Sequence, residues 1–303
     1  MLANRLRMCG NRKISLFVAV GSAGKIATSP DGINWTQRTS GLSSERNGVA
    51  FGNGLFVVVG YDGTKILTSP DGINWTQRTV SIGLGSTEEI FDVCFGNGLF
   101  VAVGRLGNVA TSPDGITWTQ RTSGFGTSSI YAVTYGNGLF VVAGYGGKLA
   151  TSPDGITWTQ RTSGFAVGNS INGLCRGGLF VAVGGSGVLT TSSDGTTWTQ
   201  RTSASTAMDT QNINDVAYGN ELYVIVGNSG KLATATSVTT WNNATSSFGT
   251  DSILAITYAN GLFIAGGEYG KLATSPDGTT WTQRTSGFGT TSSDWINDIA
   301  YSE

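Results

Sequence analysis

Histidine is absent from the 303-residue chain. That excludes Ser-His-Asp and Cys-His nucleophile systems, a histidine general base and any histidine-ligated metal. Cysteine is scarce: Cys9, Cys94 and Cys175 are odd in number and follow no CxxC spacing, so no metal and no cofactor is expected. Charged residues make up 12% of the chain, the net charge is −1, and no run of like charge occurs. A nucleic-acid surface would need clustered Lys and Arg, so no nucleic-acid partner is expected. No stretch approaches the roughly eighteen unbroken apolar residues of a membrane span, so no membrane insertion is expected either. Proline is limited to five residues, and all five stand at one place in a repeated phrase.

That phrase, first seen from Thr28 to Thr39, returns along the whole chain. Its tryptophan recurs as Trp35, Trp75, Trp118, Trp158, Trp198, Trp241 and Trp281, at steps of 40, 43, 40, 40, 43 and 40 residues. Seven similar units at this period make a repeat protein. Ser29-Pro30-Asp31-Gly32 is a turn: proline pre-sets φ, aspartate bonds the local backbone, and glycine takes the φ that other residues avoid. Pro70, Pro113, Pro153 and Pro276 repeat it, Ser193 replaces proline in the fifth unit, and the sixth reads Thr236-Ser237-Val238 instead. A strand on either side makes the phrase a hairpin. The recurring tryptophans read as anchors between units, and Arg38, Arg78, Arg121, Arg161, Arg201 and Arg284 read as structural or solvent-facing.

A complete unit runs from residue 130 to 164. Ile130–Tyr135 is strand one, Gly136-Asn137-Gly138 a tight turn, and Leu139–Ala143 an almost wholly apolar strand two. A short loop at 144–147, strand three at 148–151, the Ser-Pro-Asp-Gly turn and strand four at 158–161 follow. Four short antiparallel strands per forty-odd residues make a propeller blade. The chain enters at strand two (Leu16) and leaves at strand one (Ile296–Tyr301). The expected fold is therefore all-β, a single seven-bladed propeller over residues 14–303, its C-terminal strand closing the first blade in a one-plus-three arrangement. Residues 1–13 match no part of the repeat and read as an extension. The basic Arg5, Arg7, Arg12 and Lys13 before an apolar stretch have the look of a secretory signal. However, Leu16–Gly21 recurs at 99–104 and 139–144, which makes it a strand of the fold. Cys94 and Cys175 fall in strand one of their units and read as free core thiols.

At the hairpins, for example Ser112-Pro113-Asp114-Gly115-Ile116-Thr117-Trp118, the chain resembles the Asp-box or BNR-repeat propellers. That family includes sialidases and photosystem II assembly factors. The resemblance implies a propeller with the hairpin between strands three and four, structural in role and turned away from the sialidase catalytic face. The family hairpin usually carries one more residue between Asp and Gly.

A sialidase-type site would need an arginine cluster, a Tyr–Glu pair and an acidic donor at the axis. Six of the twelve arginines belong to strand four, expected outermost, and Arg5, Arg7 and Arg12 precede the fold. The chain is therefore read as non-enzymatic, with a glycoside hydrolase and an assembly scaffold as the alternatives. The turns on one face are nearly uniform, whereas the loops between strands two and three and the links between blades vary. The candidate ligand-binding residues lie on this variable face: Tyr61, Asp62, Arg105, Tyr145, Glu268, Tyr269 and Trp295. Aromatic tips beside carboxylates and one arginine suit a glycan or protein partner. Glu88-Glu89 and Met208-Asp209 in the links vary as well. Asp92, Asp215 and Asp298 in strand one could bind a ligand or cation in the channel, or bond nearby backbone. Richness in Ser, Thr and Gly points, on composition alone, to an extracellular, surface or phage-virion setting.

Overall fold

The computed structural model describes residues 15–62, 64–80, 89–201, 204 and 207–302. The expected 1–13 extension, with Cys9 and three arginines, lies outside the described residues, as does Glu88. Seven four-stranded antiparallel sheets follow one another in chain order. Blade 4 shows the unit: Ile130–Gly136, Leu139–Gly144, Leu149–Ser152 and Thr159–Arg161. Blade 1 is closed by the C-terminal strand Ile296–Ser302, which pairs antiparallel with Leu16–Gly21. Leu16 N donates to Ser302 Oγ at 3.0 Å across that seam. First strands of successive blades lie against one another around the whole ring, so they line the axis.

The core consists of layers between blades. Val101 and Val103 of blade 3 pack with Phe140 and Val142 of blade 4, and the pattern recurs around the ring. Every second strand is therefore covered on both faces, which is why its sequence is an unbroken apolar run.

The hairpins are held by their own side chains. Asp154 Oδ1 accepts Ser152 Oγ at 2.9 Å and the amides of Ile156 and Thr157 at 2.8 and 2.9 Å. Trp158 Nε1 donates to the Gly155 carbonyl, and Arg161 Nε to Thr151 Oγ1 at 3.0 Å. Amide donation holds the Asp154, Asp114 and Asp277 carboxyls below the usual range. In the sixth blade the buried Trp241 Nε1 has no partner among the described residues. There Val238, buried in the core, stands where other hairpins put a positive-φ glycine.

Each second strand ends in a glycine for a steric reason. A Cβ on Gly144 would lie 2.2 Å from the Ser129 carbonyl oxygen, and the equivalents Gly60, Gly104 and Gly267 meet the same obstacle. Gly138 at the tip of the strand one–two turn has open space but φ of +76°. Gly144→Ala is expected to destabilise by about 3 kcal/mol, the upper end of overpacking changes, and Gly138→Ala by about 1 kcal/mol. Urea denaturation of the two variants checks the order; equal losses would contradict the close-approach explanation.

Candidate functional site

In every blade the first strand carries a β-bulge near its start. In blade 4 the register slips between Ile130 and Ala132, in blade 3 between Ile90 and Asp92, and in blade 2 between Arg46 and Gly48. The residue skipped by the ladder is Asn297, Asn47, Phe91, Tyr131, Asn172, Asn214 or Leu254 in blades 1 to 7. A bulge re-aims its extra side chain, and five of these seven line a cavity of about 490 Å³ at the axial mouth. The others around it are Glu45, Asn228, Ser252, Glu268 and Trp295. The cavity lies on the face of the variable loops.

One wall is aromatic: Phe91 and Tyr131 meet edge to face, centroids 5.2 Å apart. The other is amide and carboxylate. Asn297 Nδ2 donates to Glu45 Oε1 and the Arg46 carbonyl of the next blade, at 2.9 and 3.1 Å. Asn47 does the same to Glu89 Oε1 and the Ile90 carbonyl, at 2.9 and 3.0 Å. Glu268 Oε2 accepts the Ser252 amide at 2.8 Å. Trp295 is locked at its backbone, its N–H donating to Ser22 Oγ at 2.8 Å, while the residue stays 39% exposed.

Of the seven residues expected to bind ligand, Glu268 and Trp295 meet in this mouth. Tyr269 faces a separate groove on the outer side of its loop. Tyr61, Arg105 and Tyr145 open the loops between strands two and three, all exposed and outside the mouth. Asp62 is engaged by Thr64 Oγ1 at 2.7 Å and Lys65 Nζ at 2.9 Å; burial opposes ionisation, yet these bonds outweigh it and lower its pKa. Beneath it lies Arg46, fully buried where other blades have isoleucine. Its guanidinium donates to the carbonyls of Ser44, Lys65 and Tyr61, pinning the Tyr61 loop. Desolvation lowers its pKa to about 10, against the opposing pull of Asp62 and Glu45.

Asn47, Phe91, Tyr131, Leu254 and Asn297 were missed in the sequence because alternation alone does not reveal a bulge. The one available signal was partial: Phe91 and Asn297 stand immediately before the strand-one aspartates Asp92 and Asp298, whereas Asn47, Tyr131 and Leu254 precede Gly48, Ala132 and Ala255. The seven repeat tryptophans are spent within the hairpins: Trp118 and Trp241 are buried, the other five half-buried with Nε1 bonded to the turn carbonyl. Among the described residues, no group of three or more acidic or thiol side chains is arranged to hold a metal ion. Cys94 and Cys175 are free thiols, raised in pKa by burial.

Below the mouth, Asp92, Asp215 and Asp298 each bridge two blades through backbone. Asp92 accepts the Val93 amide at 2.7 Å and the Val133 amide of blade 4 at 2.8 Å. Asp215 links to Ile256, and Asp298 to Val49, in the same way at 2.8 Å. Burial raises all three carboxyls, Asp215 to about 7 and Asp298 to about 6; the neighbouring carboxylates add to the rise in Asp92 and Asp215. All three remain half-buried, so channel solvent tempers that penalty.

Because the folded chain binds protons here that the unfolded chain, with carboxyls near 3.8, has released, stability falls as pH rises through this window. The hairpin aspartates act oppositely: their depressed pKa values stabilise above the unfolded value, and that contribution is lost as pH falls below it. The melting temperature is therefore expected to peak at about pH 5 and to fall toward about pH 8. Calorimetry across this range checks it, and Asp215→Asn should flatten the alkaline limb. A melting temperature that climbs steadily to pH 8 would contradict the axial assignment.

No curated protein matches the chain. Among solved structures it is similar to YCF48 bound to D1 peptide, at 18% identity over 90% of this chain and 85% of that one, with a TM-score of 0.63. A streptogramin B lyase aligns over 97% and 94% of the two chains at 11% identity and a TM-score of 0.72. A catalytically inactive histidine-to-alanine variant of virginiamycin B lyase from Staphylococcus aureus, with quinupristin, aligns over 79% and 83% at 12% identity and a TM-score of 0.66. At these identities the likeness is one of fold. The DUF6242 beta propeller domain matches residues 30–171 and again, one forty-residue unit later, 70–201. Together these spans exceed half of the chain, which belongs to the DUF6242 beta propeller domain family.

Proposed function

We propose that the chain is a non-enzymatic interaction propeller whose variable face takes a peptide segment of a protein partner in the axial mouth. The observation that carries this reading is the composition of that mouth. An apolar wall of Phe91, Tyr131, Leu254 and Trp295 faces amides and carboxylates from Asn47, Asn297, Glu45 and Glu268. Apolar anchors beside oriented polar groups suit a peptide, which offers both side chains and a backbone to bond. Similarity to YCF48, whose structure holds a D1 peptide, adds an analogy of fold. An assembly-scaffold role of the kind implied by the Asp-box resemblance is a form of this reading, and the self-bonded Ser-Pro-Asp-Gly hairpins support that kinship.

Chemistry at the axis is disfavoured by what the polar groups already do. The axial carboxylates accept backbone amides, Arg46 is consumed by carbonyls, and Arg176 lies over the Phe180 ring. The lyase relative is inactivated by loss of a histidine, a residue this chain does not contain.

A random-peptide display screen of the purified protein, followed by affinity measurement, tests the proposal. Trp295→Ala and Tyr131→Ala are each expected to weaken a selected peptide at least tenfold, about 1.4 kcal/mol. Peptide binding that neither substitution changes would remove the mouth from the reading.

A further inference from the structure

A second concave surface lies away from the mouth, along the outer strands of blade 7. It is a groove of about 770 Å³ between the loop at Tyr269, the strand Thr282–Thr285 and the link that follows. Blade 1 carries the equivalent groove, about 490 Å³, bounded by Ala23, Lys25, Gln37 and Arg38. The repeat thus builds the trough, and one substitution distinguishes the two copies: Tyr269 in blade 7 stands where blade 1 has Ala23.

Three features of the blade 7 groove point to a ligand. Tyr269 sits at φ of +57°, the left-handed conformation that this loop position takes in every blade, so the repeat backbone fixes where its ring stands. It is 37% exposed rather than tucked into the core. Arg284 is tethered by one nitrogen only, Nε donating to Thr274 Oγ1 at 2.9 Å, and among the described residues no carboxylate lies within ion-pair reach. A guanidinium held at Nε presents its two terminal nitrogens as an oriented fork for a carboxylate. The other cation, Lys271, is spent: Nζ donates to the Phe248 carbonyl at 2.8 Å and pairs with Asp251 at 2.6 Å. The groove therefore carries one uncompensated positive charge beside an aromatic face, with the exposed Gln283, Thr285 and Thr290 supplying an amide and hydroxyls along it.

We propose that this groove binds an acidic saccharide, its carboxylate on the Arg284 fork and the apolar face of a sugar ring against Tyr269. An open trough with one flat aromatic and many hydroxyl and amide partners fits a sugar's alternating apolar face and hydroxyl rim. The other blades do not offer the same pair. Asp62 at the Tyr269 position of blade 2 would repel the anion, and Leu106, Gly146, Ser186 and Ser229 provide no ring. One site per chain follows.

The test is calorimetric titration with a tetramer of galacturonic acid, using maltotetraose as the uncharged control. The expected stoichiometry is one, with Tyr269→Ala and Arg284→Lys each weakening binding at least tenfold, because lysine keeps the charge and loses the fork. Ala23→Tyr places an aromatic on a backbone already at φ of +53° and should raise the stoichiometry to two. Trp295→Ala in the mouth should leave saccharide binding unchanged, which separates this site from the peptide reading. The proposal is overturned if the uronic tetramer fails to bind, if maltotetraose binds equally well, or if Tyr269→Ala has no effect. An oligoglutamate peptide competing at equal affinity would overturn the saccharide assignment in the same way.

Discussion

Contact between neighbouring blades is the constraint on which the molecule depends. No blade has a core of its own: Val101 of blade 3 is buried because Phe140 of blade 4 lies against it, and each second strand needs a neighbour on both faces. Such an array has two unpaired ends unless it closes. Pairing Ile296–Ser302 with Leu16–Gly21 completes blade 1 from both termini, so every blade gains two neighbours.

Polar groups supply the second set of inter-blade ties, and these come in asymmetric forms. Asn47, Asn172, Asn214 and Asn297 reach a carbonyl of the following blade, while Asp92, Asp215 and Asp298 accept its amides. Where an aromatic or aliphatic residue replaces asparagine, at Phe91, Tyr131 and Leu254, the tie is given up and an apolar wall appears at the mouth. The candidate peptide site thus sets the three first strands without this tie against Asn47 and Asn297, which keep it. Lysines at the start of third strands tie the links as well, Lys148 to Phe125 and Lys271 to Phe248. With so many loops fastened, the variable face can differ among blades while its backbone stays fixed.

Much of this was legible in the residues. The tryptophan period, the Ser-Pro-Asp-Gly turns and the apolar second strands are local or periodic signals, and each reports a contact repeated in every unit. The entry at strand two and exit at strand one implied the closure. The reading of the strand-one aspartates as backbone partners was available too, since a half-buried carboxylate is most readily satisfied by amides. The candidate site was less legible. Glu268 and Trp295 were found through loop variability, but Tyr61, Arg105 and Tyr145 vary equally and stand outside the cavity.

The division has a physical cause. A repeated sequence determines what each unit does alone: its turns, its strand order, the alternation of buried and exposed positions, and the number of units available to close a ring. Where side chains from different blades converge depends on the bulge that displaces one residue of each first strand and on the curvature that carries seven such residues to one mouth. That displacement turns Phe91 and Tyr131 from strand residues into a cavity wall. The bulge recurs in every blade, but the convergence of the displaced residues at one mouth is a relation among blades that no single repeat contains, so only the tertiary structure decided it.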